Sequence, residues 1–149
     1  MNFGYFYVSV QKNNKGVREI IEHEKAKLSS AKSQEICYDV FDAEHSGQPN
    51  LDLLMTKIQA GDVIIVDRLE SFARSVTQCI NLIDLLSMRS VALKILDPLL
   101  YLDNTEQGKT VRGILISLLQ QEQQTYINRM EKGKHVKKAY GGRPKKISG

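Results

Sequence analysis

The run PNLDLLMTKIQAGDVIIVDRLESFARSVTQCINLIDLLSMRSVALKIL, residues 49–96, switches repeatedly between two hydrophobic periods, and that switching decides the fold. Val63-Ile-Ile-Val66 is an unbroken apolar run between Asp62 and Asp67, the pattern of a short strand covered on both faces. Ahead of it, Pro49 to Ala60 reads as a short helix, with Pro49 suited to the first turn and Gly61 at the C-terminal end. Behind it, Ser75 to Met88 reads as a helix with Ile80, Ile83 and Leu85/Leu86 turned inward, and Val91 to Leu96 as another strand. Strands separated by single helices at this spacing need crossover connections, so they lie parallel in an α/β layer.

The N-terminal side continues the pattern. Asn2 to Val10 predicts a strand with Phe3, Tyr5 and Tyr7 on one side and Gly4, Phe6 and Val8 on the other, again apolar on both faces. Asn14 to Leu28 predicts a helix through Val17, Ile20, Ile21, Glu24 and Leu28, and Ile36 to Phe41 a second strand. Residues 1–104 therefore predict an α/β domain: a mainly parallel sheet of four to five strands flanked by helices. After Asp97–Pro98 the pattern changes. Asp103-Asn-Thr-Glu106 reads as a helix start. One stripe then runs through Val111, Ile114/Leu115, Leu118/Leu119, Glu122, Tyr126, Arg129/Met130, Gly133 and Val136. This predicts one long helix within 105–139, roughly thirty residues and so about 45 Å at 1.5 Å per residue. Its polar second half, Gln120 to Lys138, is too long to lie on so small a body, so the excess reads as a dimerisation element, with a lone exposed helix as the alternative. Gly141, Gly142 and Pro144 end the helical pattern, leaving residues 140–149 as a basic arm or linker.

Charge is unevenly placed. From Arg129 onward eight Lys/Arg accompany one acid, Glu131, whereas residues 1–128 carry thirteen bases and sixteen acids. A mildly acidic body with a basic tail suits a polyanion partner, most simply nucleic acid; a solvated tail that aids solubility is the other reading. No basic segment followed by a long apolar one opens the chain, and no stretch approaches the roughly 18 apolar residues of a membrane span. Cys37 and Cys79 have no second Cys or His at ligand spacing, and His23, His45 and His135 show no pairing. The expectation is a protein of the reducing cytoplasm, without metal, cofactor, membrane or small-molecule substrate. No glycine-rich phosphate loop follows the first strand, which weighs against a nucleotide-binding domain.

Several stretches together resemble the catalytic domain of the serine recombinases, the resolvase/invertase family. Phe3-Gly-Tyr-Phe-Tyr-Val-Ser-Val10 is similar to that family's opening strand, with Ser9 at the nucleophilic serine. Ser46-Gly47 followed by Gln48-Pro-Asn-Leu51 resembles its Ser-Gly loop and Arg-Pro-x-Leu motif. Gly61-Asp-Val-Ile-Ile-Val66 resembles its third strand, Leu69-Glu-Ser-Phe-Ala-Arg-Ser75 its Leu-Asp-Arg-Leu-Gly-Arg-Ser motif, and Gly142-Arg-Pro-Lys-Lys146 its basic linker.

The resemblance implies metal-free DNA strand cleavage and exchange, in which the serine hydroxyl attacks a phosphodiester and is left as a 5′-phosphoserine. Such chemistry needs fixed positive charge around the phosphate, because a neutral serine is a weak nucleophile and the transition state gathers charge on oxygen. Guanidinium groups supply that charge bidentately. By resemblance the catalytic candidates are Ser9 and Arg74. The other arginine positions are altered: Tyr7, Gln48, Ser71 and Gln123 stand where the family carries arginine, and Glu70 stands for its aspartate. Asn13 and Arg18 occupy positions usually held by glutamine, and the acid before the Ser-Gly loop falls on Asp42 only with a one-residue shift, on Ala43 without it. Arg68 and Arg18 are the nearby guanidiniums that offer compensation.

The candidate DNA-contacting residues are Arg129, Lys134, Lys137 and Lys138 on the long helix and Arg143, Lys145 and Lys146 on the arm. The helix-turn-helix domain that follows this linker in the family is expected to be absent. Two functions remain open: a recombinase domain of impaired activity that partners DNA as a homodimer or tetramer, associating with the nucleoid; or a non-catalytic, oligomerising or regulatory DNA-associated relative that pairs with an active one.

Overall fold

The computed structural model describes residues 1–10, 16–42, 44 and 46–140, with side chains described as far as residue 132. The chain divides into two units, Met1–Ile114 and Leu115–Gly149.

The first unit holds a five-stranded sheet: β1 (Asn2–Ser9), β2 (Glu35–Phe41), β3 (Val63–Val66), β4 (Ala92–Leu96) and β5 (Leu99–Leu102), in the order β2-β1-β3-β4-β5. The first four run parallel and β5 closes the edge antiparallel to β4. Three helices make the crossovers: α1 (Val17–Ser30), α2 (Pro49–Lys57) and α3 (Val76–Met88). The mainly parallel, helix-flanked α/β sheet expected from residues 1–104 is therefore present.

Alternation along β1 builds two cores. Phe6 and Val8 pack with Leu28 of α1 and Ile65 of β3. Gly4 lies on the same side, where an added Cβ would stand 2.7 Å from Ser33 Oγ and 3.1 Å from Leu28, so a side chain there would push α1 off the sheet. The opposite face carries Phe3 and Tyr5, both buried, in a layer with Ile64, Leu93 and Ile95. Tyr5 meets Phe72 edge to face, the ring centroids 6.4 Å apart.

Local physics moved several boundaries. α1 is described from Val17, with Gly16 at φ 98° in the left-handed region as its N-terminal flank, while the expected start at Asn14 lies outside the described residues. α2 stops at Lys57 rather than Ala60. Ile58 turns extended (φ −68°, ψ 147°) and buries its side chain, while the Arg89 guanidinium donates to the helix-end carbonyls of Met55 and Ile58. Gly61 (φ 93°) consequently serves the turn into β3 rather than the helix end. The fifth of the four to five expected strands had no assigned place in the sequence, and it is β5. Asp97–Pro98 reads as a break, yet the chain reverses there, and Leu99 pairs back onto Leu96.

A fourth helix, α4, spans Glu106–Tyr140, about 52 Å at 1.5 Å per residue. Within the first unit its N-terminus is capped by Thr105, whose Oγ1 accepts the Gly108 N–H at 3.0 Å while Asp103 Oδ1 accepts the Thr105 N–H. Arg112 donates to the Asp103 carbonyl at 2.7 Å. Gly108 is needed for this cap, since a Cβ there would overlap the Asp103 side chain and lie 2.6 Å from its backbone nitrogen. Gly→Ala normally stabilises a helix interior by about 1 kcal/mol. Here Gly108→Ala should instead destabilise by about 1–3 kcal/mol through backbone displacement, read as a lower urea midpoint at unchanged slope.

In the second unit α4 continues with Leu118, Tyr126, Ile127 and Met130 exposed. Among the described residues no helix is long and apolar enough to cross a membrane.

Candidate functional site

The strand order itself selects a place. From β1 the chain crosses outward to β2 over one face, then returns past β1 to β3 over the other, so the winding reverses between β1 and β3. In open parallel sheets a cleft forms at the carboxyl ends of the strands flanking such a reversal. Ser9 is the last residue of β1 and is exposed there.

Ser9 pairs in register with Phe41, and Tyr7 with Asp39. Neighbouring residues in parallel register share a sheet face, so Tyr5, Tyr7 and Ser9 line up beside Cys37, Asp39 and Phe41. Arg74 reaches this face from the loop before α3. Its guanidinium carbon lies 5.7 Å from the centre of the Phe41 ring, a cation–π contact. The Tyr7 ring lies 6.4 Å from that of Phe41 at an interplanar angle of 51°. Ser9 and Arg74 are thus brought to the same aromatic residue from two elements. Burial pushes the Tyr7 phenol above its ordinary range; the Arg74 charge works against that shift and Asp39 adds to it.

Beneath this surface lies a buried polar chain that residue patterns did not disclose. Asp39 accepts the backbone N–H groups of Asn50 and Leu51, each at 2.9 Å, and so caps α2. It also accepts the Tyr5 hydroxyl at 2.8 Å. Gln48 Nε2 donates to the Tyr5 oxygen at 3.0 Å and to the Phe72 carbonyl at 3.1 Å. Gln48 Oε1 accepts from Gln78 Nε2 at 2.8 Å, and Gln78 Oε1 accepts the Arg74 backbone N–H at 2.7 Å. The Ser75 hydroxyl meanwhile accepts the Gln78 N–H and caps α3. The amide–amide bond between Gln48 and Gln78 therefore ties the start of α2 to the start of α3. Burial drives the Tyr5 phenol far above its usual range, so it stays a neutral donor.

The other candidates distribute as follows. Ser71 is buried and Glu70 exposed. Arg68 lies with its Nε 3.6 Å from Asp67, a carboxylate that also holds Lys27 at 3.1 Å. Arg18 is exposed in the first turn of α1. Asp42 is half-buried and accepts the Glu44 N–H at 2.8 Å. Arg129 is exposed on α4. Lys134, Lys137 and Lys138 belong to α4, but their side chains lie outside the described residues, as do Asn13, Arg143, Lys145 and Lys146 altogether. Asp39, Phe41 and Gln78 are the residues that sequence reasoning missed. Ser75-x-x-Gln78 carried a signal, since serine followed three residues later by glutamine is a helix-start signature.

Comparison with known proteins gives a consistent result. Residues 2–143 match the family model described as Resolvase, N terminal domain. The chain is 27% identical over 152 aligned positions to the transposon Tn552 resolvase of Staphylococcus aureus, covering 99% of this chain and 74% of that one. It is 28% identical over 139 positions to the transposon Tn3 resolvase of Escherichia coli, covering 93% and 72%. Among solved structures, a resolvase family site-specific recombinase from Streptococcus pneumoniae superposes with a TM-score of 0.58 at 18% identity, covering 89% of this chain and 93% of that one, a likeness of fold.

Proposed function

The chain belongs to the resolvase family, and from that premise we propose that it is a site-specific recombinase domain whose own strand cleavage is impaired. Ser9 is the nucleophile: its oxygen bonds to phosphorus, the bond to the 3′ oxygen breaks, and that oxygen takes up the proton. Arg74 meets charge on the phosphate. One observation carries the impairment. The position where the family carries an arginine is held by Gln48, buried and engaged on both ends of its amide by neutral partners. No charge reaches the phosphate from there, and a metal-free transfer has little else to stabilise its transition state. A nicked duplex that traps the covalent intermediate tests the reading: the expected result is a trace adduct that depends on Ser9.

A second reading, a non-catalytic partner that assembles with other copies or with an active relative, draws support from the exposed Leu118, Tyr126 and Met130 along α4. Apolar side chains spaced along one helix suit a helix-on-helix interface.

In either reading DNA is the partner, with Arg129, Lys134, Lys137, Lys138, Arg143, Lys145 and Lys146 supplying phosphate contacts. Binding to a duplex should then weaken steeply with salt, and removing residues 139–149 should flatten that dependence by about 0.9 in log–log slope for each lost contact. Equal slopes with and without the arm, in a salt titration by fluorescence anisotropy, would remove the arm from the interface.

A further inference from the structure

We propose that Tyr7, Phe41 and Arg74 form a shelf that binds an unstacked base of single-stranded DNA, the base against the aromatic rings and its neighbouring phosphate against the guanidinium. The inference rests on the reading of the chain as a DNA-acting domain, and it assigns the altered site a ligand suited to its present residues.

Three observations carry it. First, the two rings are adjacent and neither is sequestered: Tyr7 and Phe41 are half-buried, their centroids 6.4 Å apart, at the strand ends beside the exposed Ser9. Second, Arg74 is exposed and its guanidinium carbon stands 5.7 Å from the Phe41 ring centre, which places a permanent positive charge against the aromatic surface. Alternating π-faces and cations are how single strands are held without sequence preference. Third, the groups beneath are neutral or already engaged. The Tyr7 phenol stays protonated, Gln48 is an amide, and Asp39 accepts three hydrogen bonds. The local balance thus suits one phosphate and one base. A phosphodiester being cleaved wants several cations, whereas a bound nucleotide needs only one.

The competing explanation is that Tyr7 merely fills space, in which case any side chain of similar bulk serves as well. Fluorescence anisotropy on the whole chain separates the two. The probes are a short fluorescein-labelled single-stranded oligodeoxythymidine, the same strand with abasic sites in place of its bases, and a mixed-sequence duplex. The intact strand should bind about 5- to 150-fold more tightly than the abasic strand. Tyr7→Leu should bring the intact strand down to the abasic level and leave abasic binding unchanged, while Tyr7→Phe keeps the difference. Phe41→Leu is the second variant, with the same expected loss, should Tyr7→Leu lose its helical circular dichroism. Equal binding of intact and abasic strands, or a preference that survives leucine at both positions, overturns the shelf. If the duplex binds with normal salt dependence while the base preference is missing, the shelf alone fails. If none of the three probes binds, the DNA reading fails with it.

Discussion

On a nicked duplex that traps the phosphoserine intermediate, the chain should form adduct at least about 10⁴-fold more slowly than a resolvase relative assayed beside it. Ser9→Ala should remove whatever adduct remains. One preorganised charge-stabilising donor is commonly worth about 2.7–4 kcal/mol in the transition state. By the resemblance to the family's motifs, four such positions are altered here, at Tyr7, Gln48, Ser71 and Gln123. Groups that act as a unit do not add, yet half of a nominal 12 kcal/mol or so still slows the step by about 10⁴. Arg68, a guanidinium close to the site in sequence, offers no simple replacement, since its Nε is 3.6 Å from Asp67. An adduct formed at the relative's rate would overturn the impairment. One that survives Ser9→Ala would overturn the nucleophile. No adduct with arginines restored at all four positions, in a variant that keeps its helical circular dichroism, would overturn the inherited mechanism.

The second large effect is on stability. Asp39→Ala should destabilise the domain by about 3–5 kcal/mol, a sizeable fraction of the roughly 5–15 kcal/mol that holds a domain together. The substitution takes the acceptor from three donors at once. The Tyr5 hydroxyl is left without its acceptor in a buried site, and the Asn50 and Leu51 amides lose their cap. A negative charge favourably placed at the N-terminus of α2 goes with them. Tyr5→Phe, which removes only one donor, should lose about 1–2 kcal/mol. Because both variants act on the same bond, the double variant should lose less than the sum, a non-additivity measurable by urea unfolding. An Asp39→Ala loss below about 1 kcal/mol would show that water replaces the carboxylate without difficulty.

Much of the fold was readable because its signals are local. Val63-Ile-Ile-Val66 and the helical stripes on either side of it specify strand and crossover helix without reference to anything distant. What escaped depended on tertiary partners. Leu99–Leu102 is a plausible strand only once β4 is there to pair with it, and Asp97–Pro98 concealed the reversal. Ile58 leaves its helix because a buried pocket and the distant Arg89 reward it for doing so. At the site, Ser9 and Arg74 stood out through motif resemblance. Asp39 lay in an otherwise ordinary strand, and its pairing with Tyr7 and bonding to Tyr5 follow only from the parallel register of β1 and β2. Phe41 likewise has no meaning until Arg74 arrives from thirty-odd residues away.

The bond between Gln48 and Gln78 also bears on descent. An arginine reintroduced at position 48 alone would bring a charge into a buried space, take the acceptor from the Gln78 amide and disturb the donors to Tyr5 and Phe72. The amide at 78 and its hold on the Arg74 backbone would have to change in the same step. An arginine at position 48 alone is therefore expected to cost stability. A change at position 48 is thus tied to one at 78, and an arginine there is reached more readily through a paired substitution than through a single one.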